Sequence, residues 1–178
     1  MEEIEDKKHI FSAYKTRLLW LVIGLIGSLF IAKFIRFFEN TLEENVLIVA
    51  FIPLIVYMGD AVGTQMESII IRAVSKQKHF NLKAFLSFQF SVVSLLAISL
   101  GILSGVGSYL IYKAREFSIV LGLAVFITII SSLFTGLAIP YAFWKFHQDP
   151  AEATGPIANI IQNAISISIY LLIVSTVL

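Results

Sequence analysis

The chain alternates long oily stretches with short polar ones. Five runs are apolar over a membrane-crossing length: Leu18 to Ile35, Val46 to Ile71, Ala84 to Tyr112, Phe117 to Trp144 and Ile157 to Leu178. A helix needs roughly 20 such residues to cross a bilayer. None of the runs shows the period-two alternation of a half-buried strand. A helix also satisfies its own backbone in lipid, where an open strand cannot. The pattern therefore predicts an all-α membrane protein with five transmembrane helices. Short connections make consecutive helices antiparallel neighbours. No internal repeat is evident, and five spans do not divide into equal halves.

Composition sharpens this reading. The chain is 58% hydrophobic and only 14% charged, with a mean hydropathy of +0.88, whereas soluble domains carry about a quarter charged residues. A net charge of +1 excludes the chain as a whole from binding nucleic acid. There is no cysteine, hence no disulfide and no thiolate metal site. The opening "MEEIEDKKHIFSAYKTR" is polar and mixed in charge, and no small-residue cleavage site closes the apolar run behind it. That run is read as a retained span, not a signal peptide. Residues 1–16 form a short cytoplasmic segment and 17–178 the transmembrane domain. Two readings stand for the segment. It is an amphipathic helix on the inner surface, with Ile4, Ile10, Phe11 and Tyr14 as its apolar contacts, or a disordered tail.

Lysine and arginine set the orientation. With the N-terminus inside, Lys7, Lys8, Lys15, Arg17, Arg72, Lys76, Lys78, Lys83 and Lys145 fall on the inner side. Arg36, Lys113 and Arg115 fall outside, with Lys33 near the outer end of the first span. The N-terminus is expected in the cytoplasm and the C-terminus outside.

Candidate chemistry lies in residues that do not belong in hydrocarbon. Asp60, Thr64 and Glu67 share one face of the second span. Ionisable groups there usually face a bundle interior or a wet path. The bland reading gives Glu67 an ion pair with Arg72 or Lys76 and gives Asp60 a buried hydrogen bond to a neighbouring helix. The functional reading is a path for a cation or proton. Gly59 and Gly63 make a GxxxG beside them, with Pro53 upstream; such residues allow close helix approach or loosen the backbone toward a cavity. Gly101 and Gly105 have no charge nearby and read as helix packing.

In "KFHQDPAEATGPIANIIQNAISISIY", Asp149, Pro150 and Glu152 make a helix start: N-cap, first residue and third. A helix from Pro150 to the C-terminus would be about 43 Å long, more than a hydrocarbon core of about 30 Å. It must tilt, kink at Gly155-Pro156 or start in a cavity. Asn159, Gln162, Asn163, Ser166 and Tyr170 put a polar stripe on the last span, either glue between helices or the lining of a pore; the lining is preferred. His9, His79 and His147 stand singly near the inner surface, and no HExxH, Ser-His-Asp or glycine-rich phosphate motif occurs. The chain is not expected to be an enzyme.

Four stretches resemble the membrane domain of the MgtE family of magnesium channels and transporters: "RLLWLVIGLIGSLF", "PLIVYMGDAVGTQMESIIIRAVS", "IPYAFWKFHQDPAEATGP" and "IIQNAISISIYLLIV". The Asp-Pro-Ala with its following Gly-Pro and the Gly-x-x-x-Gly-x-Gln stretch are the most specific. The resemblance implies a five-span protomer in a homodimer within the cell membrane, with the ion path between protomers lined by the second and fifth spans. It maps the central magnesium-coordinating aspartate onto Asp149 and the glycine-rich motif onto Gly59 through Gln65. The expected metal set joins to Asp149 the carboxylates of Asp60 and Glu67, which the family pattern does not supply and which would line the same wet path, with Thr64 and Asn163. The pore lining would be Gly59, Gly63, Gln65, Asn159, Gln162 and Ser166.

This sequence departs from the family pattern. Gly59-Asp60-Ala61 replaces the usual Gly-Gly-Asn, Thr64 replaces a second Asn, and Asn163 stands where an aspartate is usual. The cytosolic N-terminal and CBS domains are not expected in cis, which leaves residues 1–16 as a plug-like element or a separate cytosolic protein as regulator. Carboxylate, amide and carbonyl oxygens suit a hard cation, Mg2+ first and Mn2+ or Ca2+ besides. The function expected is divalent cation transport. The alternative is a proton- or sodium-coupled exchanger, and a scaffold with purely structural polar stripes is the bland rival.

Overall fold

The computed structural model describes residues 2–76, 81–146 and 150–178. Of these, the side chains of residues 2–9, 16, 44, 75, 76, 150–154 and 156 are left undescribed. Six α-helices follow one another: α1 Glu2–Ile35, α2 Glu39–Glu44, α3 Val46–Lys76, α4 Leu82–Tyr112, α5 Arg115–Lys145 and α6 Pro150–Val177. A 3-10 turn, Arg36–Phe38, separates α1 from α2. Five of the helices are long and apolar enough to span a membrane, and no strand occurs among the described residues. The chain is a multi-pass membrane protein. α1 runs from Glu2 into the first span with no break at residue 16.

Local chemistry sets the helix ends. Asn45 is extended, and its Oδ1 accepts from Leu47 N at 3.0 Å to start α3. Asn81 does the same for α4, accepting from Ala84 N at 3.1 Å. Lys113 ends α4 in the left-handed region, φ 56°, with its N–H on Tyr109 O at 2.9 Å. α6 starts at Pro150, where a missing backbone N–H costs nothing. Pro53 and Pro140 lie inside α3 and α5 without ending them, as neighbouring helices allow in membranes.

α5 is the hub. It packs against α3, α4 and α6, and Leu121, Ala124, Val125, Ile129 and Leu133 along it are wholly buried. α3 also meets α6, while α1 rests mainly on α6 and buries none of its described side chains. Lipid is as apolar as leucine, so burial does not drive helices together in a bilayer; close packing and interhelical hydrogen bonds must do so. Small residues provide the packing. A Cβ on Gly122 would lie 2.8 Å from Gly101 O and 3.5 Å from Gly105 Cα, so α4 and α5 touch backbone to backbone. A Cβ on Gly136 would lie 2.9 Å from Met66 Cβ and would press on Gly63 O, which brings α5 equally near α3. Beyond these contacts, Tyr170 of α6 donates its hydroxyl to Ile48 O of α3 at 2.9 Å.

A matched pair of substitutions checks this account. Gly122→Ala should cost about 1–3 kcal/mol by overpacking, read as a lower unfolding midpoint in detergent. Gly107→Ala on α4, where an added Cβ meets nothing within 4 Å, should leave the midpoint unchanged or slightly raised.

Candidate functional site

The site grows from the close approach of α3, α5 and α6. Gly59 and Gly63 give α3 a bare face. A Cβ at Gly59 would fall on the Ser166 hydroxyl and 2.9 Å from Gln162 Nε2; one at Gly63 would lie 3.7 Å from Gln162 Cγ. Absence of side chains on α3 is therefore what admits the polar side chains of α6. Gln162 uses both ends of its amide there: Thr135 of α5 donates to its Oε1, and its Nε2 donates to Ser166 Oγ at 2.9 Å. Gln162 and Ser166 are 3% and 0% exposed. Thr128 of α5 flanks Gly59, and its Oγ1 is buried with no hydrogen-bond partner among the described residues.

Asp60 points at α6. With the Asn163 amide nitrogen turned toward the carboxylate, it donates to Asp60 Oδ1 at 2.9 Å and Oδ2 at 3.1 Å. The contact is the interhelical hydrogen bond that the bland reading gave Asp60, and it is made by a neutral donor, so the charge stays uncompensated. Asp60 and Thr64 also face outward, where with Tyr57, Ala61, Gln65 and Ser68 they line an open groove of about 610 Å³ along α3. On the inward side the same two residues border a cavity of about 10 Å³ between α3, α5 and α6, together with Glu67, Thr135, Asn159 and Gln162. No Lys or Arg lines either space among the described residues.

The residues singled out in the sequence are thus partly united. Asp60, Thr64, Glu67, Gly63, Asn159 and Gln162 meet at one cavity, and Asn163 joins through Asp60. Gln65 lies on the open groove alone. Glu67 forms no ion pair with Arg72, and the side chain of Lys76 lies outside those described; Glu67 packs against α5 and α6. The polar stripe of α6 divides: Gln162 and Tyr170 bond to α5 and α3, Ser166 bonds to Gln162 within α6, and Asn159 is exposed. Gly101 and Gly105 lie far from this site, at the α4–α5 crossing. Asp149, His79 and His147 fall outside the described residues. No group of three or more His, Cys, Asp or Glu side chains that could hold a metal occurs among the described residues. Thr128, Thr135 and Gly136 were missed as site residues, since nothing in an apolar run marks which hydroxyl or glycine will face a partner helix.

A family model described as MgtE, divalent cation transporter, matches residues 52–173, a span that takes in both carboxylates, the glycine face and the α6 stripe. The chain belongs to the MgtE family. It is also similar to curated members of that family. It is 28% identical over 168 residues to Magnesium transporter MgtE of Bacillus subtilis (strain 168), covering 93% of this chain and 37% of that protein. It is 25% identical over 181 residues to Magnesium transporter MgtE of Enterococcus faecalis (strain ATCC 700802 / V583), covering 98% of this chain and 39% of that protein. The chain thus spans well under half the length of the MgtE relatives it matches.

The Asp60–Asn163 contact has a measurable signature. Asn163→Ala should lower stability by about 1.5–3 kcal/mol, the range for a hydrogen bond to a charged group. Asn163→Asp should be worse at neutral pH, since it sets two carboxylates side by side. Adding Asp60→Asn to Asn163→Asp reverses the pair and should restore most of the loss, which thermal unfolding of the single and double variants would register.

Proposed function

We propose that this chain carries divalent cations across the cell membrane, magnesium foremost, along a path lined by α3 and α6. The observation that carries the reading is the open groove on α3, where Thr64, Gln65 and Ser68 are exposed and Asp60, held by Asn163 of α6, also opens outward. Polar groups facing plain hydrocarbon are costly, so the groove asks for water and a partner. A second copy of the chain, related by a two-fold axis, supplies both. The two α3 grooves then face each other around a wet path, and Asp149, at the start of α6, contributes an acidic ring. Magnesium dehydrates reluctantly and is commonly held through its waters by one or two carboxylates. A groove of about 610 Å³ has room for a hydrated ion. The family membership and the names of the magnesium transporters that this chain resembles support the same ion.

A second reading, exchange of the divalent ion against sodium or protons, is favoured by one feature. Glu67 is a second carboxylate that sits in the inner cavity rather than on the groove.

Reconstitution into liposomes loaded with a magnesium-sensitive dye tests the path. Asp149→Asn and Asp60→Asn should each cut magnesium influx at least about tenfold, the loss of about 1.4 kcal/mol of ion stabilisation, while the protein still folds. Flux near that of the parent in both would refute the assignment. Assembly is tested in the same preparation. The chain has no cysteine, so Gln65→Cys introduces a single thiol on the groove. Oxidation should give a covalent dimer if two grooves face each other, and only monomer if they do not.

A further inference from the structure

A second open groove, of about 720 Å³, runs between α4 and α5 and shares no residue with the polar groove on α3. Its floor is backbone. Gly101, Gly105 and Gly122 meet there without side chains, and a Cβ on Gly105 would lie 3.0 Å from Ser118 O. Its walls are the exposed side chains of Ile102 and Val106 on α4 and of Ile119 and Leu123 on α5. The Ser118 hydroxyl, which also borders it, is already engaged within the protein, with Ala114 O at 2.7 Å and Ser108 Oγ at 3.2 Å. The trough between its two ends is therefore apolar, and its volume lies in the range of roughly 300–1,000 Å³ that small ligands occupy.

Length and charge narrow the occupant. The groove extends from Ile98 to Tyr109 on α4 and from Arg115 to Phe126 on α5. At 1.5 Å per residue each stretch is about 16 Å long, close to half of a hydrocarbon core of about 30 Å. The groove thus begins at the turn between α4 and α5, at one face of the membrane, and stops near the midplane. A transmembrane helix docking here would need a surface as long as the whole core. One acyl chain of a lipid in a single leaflet needs only this half. The mouth is basic. Arg115 is exposed, lines the groove and forms no ion pair among the described residues. Lys113 stands beside it, its Nζ 5.6 Å from the ring centroid of Tyr109, which lines the same end. Glu116, the acidic neighbour, does not line the groove. A guanidinium binds phosphate through paired N–H donors, and basic pockets between transmembrane helices bind anionic head groups.

We propose that the α4–α5 groove binds an anionic phospholipid, with one acyl chain lying over Gly101, Gly105 and Gly122 and the phosphate held by Arg115, Lys113 beside it. The chain covers backbone that no side chain of the protein covers. The head group places a negative charge against the two basic residues at the mouth. The site lies apart from the α3 groove and does not depend on which ion the protein carries, so it stands or falls on lipid binding alone.

The test is native mass spectrometry of the purified chain in a neutral detergent. Phosphatidylglycerol and phosphatidylcholine with identical acyl chains are titrated separately. The parent should retain phosphatidylglycerol saturably and about tenfold more tightly than phosphatidylcholine. Arg115→Gln should weaken phosphatidylglycerol about tenfold and leave phosphatidylcholine nearly unchanged, which erases the preference. Val106→Trp, which fills the groove from an exposed wall, should weaken both lipids. Glu116→Gln should leave phosphatidylglycerol binding intact or tighter. A parent chain with no preference for phosphatidylglycerol overturns the proposal. So does a preference that Arg115→Gln leaves intact, since the head group then sits elsewhere, or binding that Val106→Trp does not disturb, since the acyl chain then lies outside the groove. Ile119→Cys, a single thiol in a chain without cysteine, checks the rival occupant. Monomer after oxidation supports the lipid; a covalent dimer that has lost its phosphatidylglycerol assigns the groove to a second copy and overturns the site.

Discussion

The approach of α3 and α5 at Gly63 and Gly136 sets the spacing on which the polar site depends. In a bilayer the apolar faces of helices gain little by leaving lipid, so the distance between two backbones is fixed by what their side chains permit. Here nothing intervenes: Gly136 lies against the Gly63 carbonyl and Met66 Cβ. That proximity carries Thr135, one residue before Gly136, to Gln162 on α6. Gln162 in turn binds Ser166 under Gly59. The three helices are therefore held by one chain of contacts, and the cavity beside Glu67 is the space that this chain leaves unfilled. Larger residues at 59 or 136 would part the helices and dissolve the cavity together with the packing.

The membrane architecture was readable from sequence because hydropathy reports the solvent directly. Each long apolar run became one helix, and Asp149-Pro150 foretold the start of α6 at Pro150. The 3-10 turn and α2 went unread, since nine residues of mixed polarity carry no period to recognise. The site was legible in part. Spacing put Asp60, Thr64 and Glu67 on one face of α3, and the structure brings them to one cavity. Their partners were not legible. Asn163 is 103 positions from Asp60, and nothing local links them. The α6 stripe shows the limit of periodicity most plainly: residues at helical spacing span a broad arc, and whether a member of that arc bonds inward, as Gln162 does, or faces outward, as Asn159 does, is decided by the glycines on α3.

The two polar spaces differ in size. The groove on α3 is wide and one-sided, which suits an ion that travels with its water. The inner cavity, about 10 Å³ between three helices, has room for about one water-sized sphere. Asp60 belongs to both and is held by an amide that orients the carboxylate without cancelling its charge. A lysine or arginine in place of Asn163 would hold Asp60 more firmly and repel any cation from both spaces. A neutral donor keeps the geometry and leaves the field negative.

Asp60 stands midway along the 31-residue helix α3, and its depth has an electrical meaning. Moving one elementary charge across the whole membrane potential is worth about 2.3 kcal/mol per 100 mV. An ion that reaches a carboxylate halfway has crossed about half of that drop. For a divalent ion this amounts to about 2.3 kcal/mol at 100 mV, and for a monovalent ion about 1.2. A cell's resting voltage therefore fills a mid-membrane acidic position with divalent ions more steeply than with monovalent ones. At Asp60 such a bias would follow from the position of the carboxylate along α3 alone, apart from any ligand geometry.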